Sequence, residues 1–296
     1  MAVSSVAVAQ NSSVLSTGRW WKMATRASGV YRITTGDIPA LAGVRTDSLA
    51  VYGMGSGMLS IYNSQTPTDG LRQLAIEVRD RNNDGFFDGE DEILFYGEGA
   101  EEWRYDGSLK RWTFTHHAYA RENCYYLTTS APSTKRIAVA APVAADTLIT
   151  THTVVTNVDN DLVNVYKSGQ LWMGETLTSA VSSRSFELRL PGNGISNVKL
   201  RWAVATIGTT SGKFTLSANG YNREETLTLK DAYHTVVDVP GTPAATYNFT
   251  LTFSPSDNGG SGYLDFIELT ANATIGFNGG QQLIREDGGL SQVAAC

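Results

Sequence analysis

Six segments in the second half of the chain alternate apolar and polar residues with a period of two, and turn dipeptides separate them. Side chains of a β-strand point alternately to the two faces of its sheet, so this pattern predicts strands with one buried face. Regular spacing with Pro-Gly, Asn-Gly and Gly-Gly turns is typical of a β-sandwich or jelly roll. The predicted strands are residues 184–190, 197–205, 212–219, 234–239, 247–254 and 262–269.

The first half of the chain carries shorter strand-like segments and one helix signal. A short helix is predicted where Pro39 suits a first helical turn and Gly43 suits a helix end. Frequent Gly, Tyr and Trp residues suit sheets that many turns connect. We therefore expect a mainly β protein with two β-sheet modules, the second a β-sandwich or jelly roll, and only short helices. The strand-like segments are residues 18–24, 29–33, 49–52, 93–96, 111–115 and 124–128.

Changes in composition predict where the modules meet. Residues 10–158 are expected to form an N-terminal β module with an acidic loop, and its last part is rich in Ala, Thr and Pro. Residues 159–275 are expected to form the β-sandwich. Residues 276–296 are interpreted as a truncated lead into a missing downstream domain. Residues 1–9 end in Ala-Val-Ala, which fits a signal-peptidase site, so they are either the remnant of a secretory signal or a mobile tail.

The most specific motif is the acidic stretch DRNNDGFFDGED at residues 80–91. Oxygen-bearing side chains stand at loop positions 1, 3, 5, 9 and 12, and glycine stands at position 6, where a calcium loop turns sharply. Calcium prefers about six to eight oxygen ligands, and position 7 contributes a backbone carbonyl. We therefore predict a Ca²⁺ site with the ligands Asp80, Asn82, Asp84, the carbonyl of Phe86, Asp88 and Asp91.

The acidic loop departs in two ways from the helix–loop–helix type of calcium site. Position 12 is Asp91 where that type has a bidentate Glu, and residues 74–78 and 93–96 on either side resemble strands. The motif therefore predicts a calcium loop between strands. The alternative is an acidic, solvated hairpin turn that holds no metal.

Charge and hydropathy limit the classes of partner. The formal net charge is −6, and no basic stripe stands out that could neutralise phosphates, so a nucleic-acid partner is not expected. No apolar run is long enough to span a membrane as a helix, so no transmembrane segment is expected.

The chain contains no recognisable catalytic set. Cys124 lies in an aromatic strand-like segment, where a buried and inert thiol is the expected state. His116 and His117 are adjacent, and neighbours in a strand face opposite sides, so they cannot both bind one metal without a bulge. Cys124 and Cys296 could form a disulfide, although nothing in the sequence requires it. No catalytic residue is assigned, and the chain alone is not expected to be an enzyme.

Several short motifs, taken in order, resemble the N-terminal region of the gingipain-type cysteine peptidase family. The resemblance is strongest to its type IX secretion system sortases, which occur in Bacteroidetes. It runs from about residue 14 to residue 285 and rests on the order of the motifs. They are GRWWK at 18–22, SGVYRI at 28–33, LAVYG at 49–53, DGFFD at 84–88, DEILFYG at 91–97, Trp103, WMGE at 172–175, PG at 191–192 and GYLDFIE at 262–268.

This resemblance implies a protein secreted to the cell surface and associated with the outer membrane. The parent enzyme would remove the C-terminal sorting signal of secreted cargo and join the new carboxyl end to an anionic lipopolysaccharide. In that family the catalytic His and Cys lie in a downstream caspase-like domain, and no position here matches their motifs. The implied partners are that catalytic domain and type IX secretion components or cargo.

Two other functions stay open from the sequence. A carbohydrate-binding or adhesive β-sandwich could stack sugars on tryptophan rings, whereas the same rings could simply pack in cores and between modules. An inhibitory pro-segment is the third hypothesis, because other gingipain-type enzymes carry one. The tryptophans concerned are Trp20, Trp21, Trp103, Trp112, Trp172 and Trp202.

Overall fold

The structure, a computed structural model, describes residues 13–58, 64, 70–139, 148–167, 169, 171–208, 211–228, 232–257, 259–277 and 279–287. These residues are mainly β, and their helices are single 3-10 turns at Val14–Ser16, Pro39–Leu41 and Thr46–Ser48. The expected mainly β fold with only short helices is thus confirmed. In the described part of the chain, no helix combines the length and the apolar character needed to cross a membrane.

The strands of the described residues are numbered in chain order. They are β1 (Trp20–Thr25), β2 (Gly29–Ile33), β3 (Val44–Arg45), β4 (Ala50–Gly53), β5 (Arg72–Gln73), β6 (Glu77–Arg79), β7 (Phe86–Phe87), β8 (Glu92–Gly97), β9 (Glu102–Asp106), β10 (Arg111–Thr115), β11 (Asn123–Thr128), β12 (Thr151–Asp159), β13 (Thr176–Leu177), β14 (Ser183–Arg189), β15 (Asn193–Ile207), β16 (Gly212–Ala218), β17 (Tyr221–Leu227), β18 (Tyr233–Asp238), β19 (Thr246–Pro255) and β20 (Ser261–Thr274).

The chain divides into two compact units. The first comprises the described residues of Met1–Glu102 and Thr115–Pro142, and the second those of Trp103–Phe114 and Val143–Cys296. This division differs from the boundary expected between residues 158 and 159. The physical reason is that β12 pairs along its whole length with β20, so it belongs to the second unit.

The first unit contains two antiparallel sheets and a small ribbon. Their strand orders are β1-β11-β4-β5, β2-β8-β6 and β3-β7. Apolar side chains from both larger sheets fill one core, among them Val51 and Tyr125 from the first sheet and Ile93 and Phe95 from the second. β1 and β2 follow each other closely in sequence, yet they join different sheets, because β1 pairs with β11 and β2 with β8.

The second unit is a two-sheet sandwich with jelly-roll connectivity. One sheet has the order β12-β20-β15-β18, with β13 beside β20, and the other has the order β14-β19-β16-β17. Successive strands from β14 onward change sheet except between β16 and β17, which produces the interleaved order of a jelly roll. The core between the sheets includes Trp202, Phe214, Tyr247, Phe249 and Ile267, all buried.

A hairpin of β9 and β10 also belongs to the second unit, although it precedes β11 in the chain. Ile267 and Leu269 of β20 point into the sandwich core, so Glu268 between them faces the opposite, outer side of its sheet. The backbone N–H of Phe114 in β10 lies 3.4 Å from the Glu268 carboxylate and donates to it. The hairpin therefore lies against the outer face of this sheet.

Candidate functional site

The acidic loop joins β6 to β8 within the first unit, and strand pairing fixes its base. Arg79, the last residue of β6, is opposite Glu92, the first residue of β8. Inside the loop, β7 pairs with β3, and Phe87 is completely buried in the core of the first unit. The loop is thus held both at its base and near its middle.

Backbone N–H groups of the loop point toward its acidic side chains. Asp80 accepts hydrogen bonds from the N–H of Asp84, at 3.3 Å, and of Gly85, at 2.8 Å. Gly85 has a φ angle of +83°, in the region where glycine is favoured, as the expected sharp turn requires. Asp84 in turn accepts a 2.8 Å hydrogen bond from the N–H of Phe86.

The side chains of two predicted ligands, Asp84 and Asp88, both approach the side chain of a third, Asn82. The amide nitrogen of Asn82 lies 3.0 Å from Oδ2 of Asp84 and 3.5 Å from Oδ2 of Asp88. The amide oxygen of Asn82 accepts from the N–H of Asp84 at 3.2 Å. Asp80 is linked to the same segment by the hydrogen bonds that it accepts from Asp84 and Gly85.

Asp91 has a different position from the other predicted ligands. It is 1% exposed, and its two carboxylate oxygens accept the N–H groups of Arg81, at 2.8 Å, and Asp88, at 3.0 Å. These bonds tie the two ends of the loop together. Across the described residues, no three Asp, Glu, His or Cys side chains stand in an arrangement ready to hold a metal ion. The calcium site therefore stays a prediction.

Next to the loop, three arginines surround Glu92, a cluster that the sequence reasoning did not find. The carboxylate of Glu92 lies 3.2 Å from Arg32, 3.2 Å from Arg81 and 3.7 Å from Arg79. The hydrogen bond from Arg32 is the main cause that lowers the pKa of Glu92. Glu92 lies on β8, whereas Arg32 lies on β2 and Arg79 on β6. Only the pairing of these strands could have revealed the cluster.

The outer face of the β12–β18 sheet carries two buried carboxylates on β20. Glu268, 2% exposed, forms a bidentate ion pair with Arg201 at 2.6 and 2.7 Å. Asp265, 8% exposed, accepts a 2.7 Å hydrogen bond from the hydroxyl of Tyr233. Burial raises the pKa of Asp265 to about 6 and also raises the pKa of Glu268. A β-bulge places Asp265 there, which alternation alone could not predict.

The residues considered for catalysis do not form a common site. His116 pairs with Glu101 at 3.2 Å, and Nδ1 of His117 accepts the N–H groups of Tyr119 and Ala120. Cys124 is a free, half-buried thiol on β11. Cys296 and the suggested signal remnant at residues 1–9 lie outside the described residues.

The tryptophan rings have mainly intramolecular contacts. Trp202 is completely buried. Trp103 packs on Phe114 with ring centroids 5.3 Å apart, and Trp112 donates from Nε1 to Asp287 at 2.8 Å. Trp172 is 38% exposed. These contacts favour packing over sugar stacking for Trp103, Trp112 and Trp202.

Comparison with solved structures finds a similarity of fold that extends over most of the chain. The chain superposes on the dimeric latent PorU of Porphyromonas gingivalis with a TM-score of 0.75 and 21% sequence identity, over 95% of this chain. It covers only 27% of the PorU chain. This similarity shows that the chain has the fold of that part of PorU. No protein-family model and no curated protein sequence matches the chain.

Two other similarities are weak. An uncharacterised Listeria monocytogenes protein, solved with glucose, magnesium and calcium, has a TM-score of 0.26 and 11% identity over 84% of this chain and 19% of its own. A cycloalternan-forming enzyme from the same organism has a TM-score of 0.25 and 12% identity over the same shares. Neither value indicates a shared arrangement of the whole chain.

Proposed function

We propose that this chain is the non-catalytic N-terminal region of a PorU-like cysteine peptidase of the gingipain type. The observation that supports it is the PorU similarity, a TM-score of 0.75 over 95% of the chain. The similar region includes residues of both compact units. In this proposal the catalytic His and Cys belong to a caspase-like domain downstream.

The proposed parent protein acts at the cell surface, in association with the outer membrane. It removes the C-terminal sorting signals of type IX secretion cargo, which is the activity that the family resemblance implies. The two β units would support the catalytic domain or dock secretion components or cargo. No nucleic-acid partner is part of this proposal.

We also propose that the acidic loop binds Ca²⁺ and that the ion is structural. The proposal rests on the spacing of oxygen-bearing residues in the stretch 80–91. In the structure the carboxylates of Asp84 and Asp88 both approach the amide nitrogen of Asn82, and Asp80 accepts from the N–H groups of Asp84 and Gly85. Carboxylate and amide oxygens are the ligands that calcium prefers. Asp91 would support the loop through its backbone contacts, and the ion would neutralise the acidic side chains.

Two experiments together test the proposed function. The first determines the reading frame beyond the codon of Cys296, where a caspase-like domain with a catalytic His and Cys is expected. The second deletes this β region in the native host and follows the mass of type IX cargo, which should retain its C-terminal signal. An unrelated downstream domain, or normally processed cargo after the deletion, would contradict the proposal.

The other two hypotheses predict different results. Glycan binding that is lost in Trp103→Ala or Trp112→Ala would support the carbohydrate-binding alternative, although these rings already have intramolecular partners. Inhibition of a separately produced catalytic domain by this chain would support the inhibitory pro-segment.

A further inference from the structure

A small polar recess lies in the second unit, between the β9–β10 hairpin and the outer face of the β12–β18 sheet. Its volume is about 20 Å³, which is room for one water-sized group. Lys110 and Arg111 of the hairpin line one side, and Lys199, Thr270 and Asn272 of the sheet line the other. Asp287 also borders the recess.

A β-bulge shapes the sheet side of this recess. Ser196 is opposite Asn272 and Lys199 is opposite Thr270, so β15 contains one more residue than β20 between these pairs. The extra residue lets Asn197 adopt a φ angle of +49°. Leu200 and Val198 point into the core, so Lys199 projects from the outer face beside Thr270.

The charge of the recess is opposite to that of the chain. Lys110, Arg111 and Lys199 contribute three positive charges against the single carboxylate of Asp287, a formal sum of +3 − 1 = +2, whereas the whole chain carries −6. Oδ1 of Asp287 already accepts from Nε1 of Trp112 at 2.8 Å and from Oγ1 of Thr153 at 2.7 Å. A local excess of positive charge attracts an anion.

One donor of a residue that lines the recess has no acceptor. The Nε atom of Arg111 is buried and has no hydrogen-bond partner among the described residues. A buried donor without a partner is unfavourable, and most such groups in proteins are satisfied by a neighbour, a water or a ligand. An oxyanion satisfies a guanidinium especially well, because charge-assisted hydrogen bonds are stronger than neutral ones.

We propose that this recess binds a tetrahedral oxyanion, namely a phosphate or sulfate group. Its oxygens would accept from Nε of Arg111 and from the ammonium groups of Lys110 and Lys199, with the Thr270 hydroxyl and the Asn272 amide as further donors. Because the recess admits only one water-sized group, one oxygen enters and the rest of the ligand stays in solvent. The group is therefore either a free ion or the terminal ester of a larger molecule.

The test is isothermal titration of the full chain with inorganic phosphate at pH 7, with sodium chloride holding the ionic strength constant. Saturable one-site binding is expected for the wild type. Arg111→Gln should weaken the affinity at least about tenfold, since a charge-assisted hydrogen bond is lost. Lys199→Gln should weaken it several-fold. Arg189→Gln removes the same kind of charge from an exposed position on β14 in the other sheet, and it should bind like the wild type.

The variants must keep the wild-type far-ultraviolet circular dichroism and melting temperature. If Arg111→Gln fails to fold, the wild type is compared with Lys199→Gln alone, because Lys199 is exposed. Absence of saturable binding in the wild type would overturn the proposal, as would an equal loss in Arg189→Gln. A parallel titration with a sugar phosphate separates the two sources: tighter binding than inorganic phosphate indicates a terminal ester, and equal or weaker binding indicates the free ion.

Discussion

Two carboxylates are buried on β20 only three residues apart, and their environments differ. Glu268 faces the guanidinium of Arg201, which also lies over the ring of Phe266, 4.3 Å from its centroid. Asp265 has a neutral hydrogen-bond donor, Tyr233, and the acids Asp159 and Asp161 act on it electrostatically. Burial therefore disfavours the charged form of Asp265 with less compensation than Glu268 receives.

The raised pKa of Asp265 predicts a stability change with pH. The pKa is about 6 in the folded chain against 3.8 for the unperturbed group, so the folded state binds the proton more tightly. This contribution is fully present below about pH 4 and is lost as the pH rises through 6, about 3 kcal/mol in total. Urea unfolding at pH 4, 5, 6 and 7 should show the wild type losing most of this amount relative to Asp265→Asn.

Tyr233→Phe serves as the directional control for that prediction. The Tyr233 hydroxyl donates to the carboxylate and lowers the pKa of Asp265, so its removal should raise that pKa further. The pH window in which stability falls should then move upward. The raised pKa of Asp265 would be contradicted if the free energies of unfolding of the wild type and Asp265→Asn differed by the same amount at every pH between 4 and 7.

The ion pair of Glu268 predicts a large penalty for removing one partner. Glu268→Gln leaves the partly buried Arg201 without its carboxylate, and we expect a loss of about 3 kcal/mol in the free energy of unfolding at pH 7. Glu224→Gln is the matched control, because the Lys213–Glu224 pair is exposed and should cost less than about 1 kcal/mol. The double variant Arg201→Met, Glu268→Leu should lose less than Glu268→Gln, since no charge is left unpaired.

The acidic loop predicts calcium-dependent stability. If the loop binds Ca²⁺, a concentration of about 100 times Kd stabilises the folded state by about 2.7 kcal/mol, so EDTA should lower the melting temperature. Asp84→Asn should abolish the difference between the two conditions. Asp106→Asn alters a similar exposed acidic turn in the other unit and should keep the difference. Identical melting temperatures of the wild type with calcium and with EDTA would contradict the proposed calcium site.

At the scale of elements, the sequence predicted strands where one face is buried and the other is exposed. All six expected segments of the sandwich are strands, from β14 to β20. β12 was missed because Val154 and Val155 are both buried, which erases the alternation. β17 was missed because its middle residues are mostly exposed and polar, as in an edge strand. The expected helix near Pro39 is a single 3-10 turn.

The packing of β20 against β19 and β16 predicts that Gly262 tolerates no side chain. A Cβ atom at Gly262 would lie 2.7 Å from the Phe253 ring and 2.8 Å from the Phe214 ring, both buried in the core. Gly262→Ala should therefore cost about 1–3 kcal/mol through overpacking. Gly276→Ala, where no atom lies within 4 Å of the added Cβ, is the control and should change urea unfolding little.

For the whole molecule, the fold class could be predicted from the sequence, whereas the division of the chain into two units could not. Local alternation reports which face of a strand is buried, whereas it carries no information about which strands pair. The β9–β10 hairpin shows this limit, because it lies in the second unit while the residues on both sides of it, up to Glu102 and from Thr115, lie in the first. The same limit applies to the candidate functional sites. The acidic loop consists of consecutive residues and could be predicted, whereas Arg201 and Glu268 are far apart in the sequence, so their ion pair could not.

The contacts of His116 and His117 predict that Cys124 does not act as a peptidase nucleophile with either of them. A cysteine nucleophile needs a neighbouring base that stabilises its thiolate. Nδ1 of His117 accepts two backbone N–H groups, and His116 is paired with Glu101, so both rings are engaged elsewhere. Hydrolysis of a fluorogenic peptide by the wild type that Cys124→Ala abolishes would contradict this expectation, and with it the assignment of catalysis to a downstream domain.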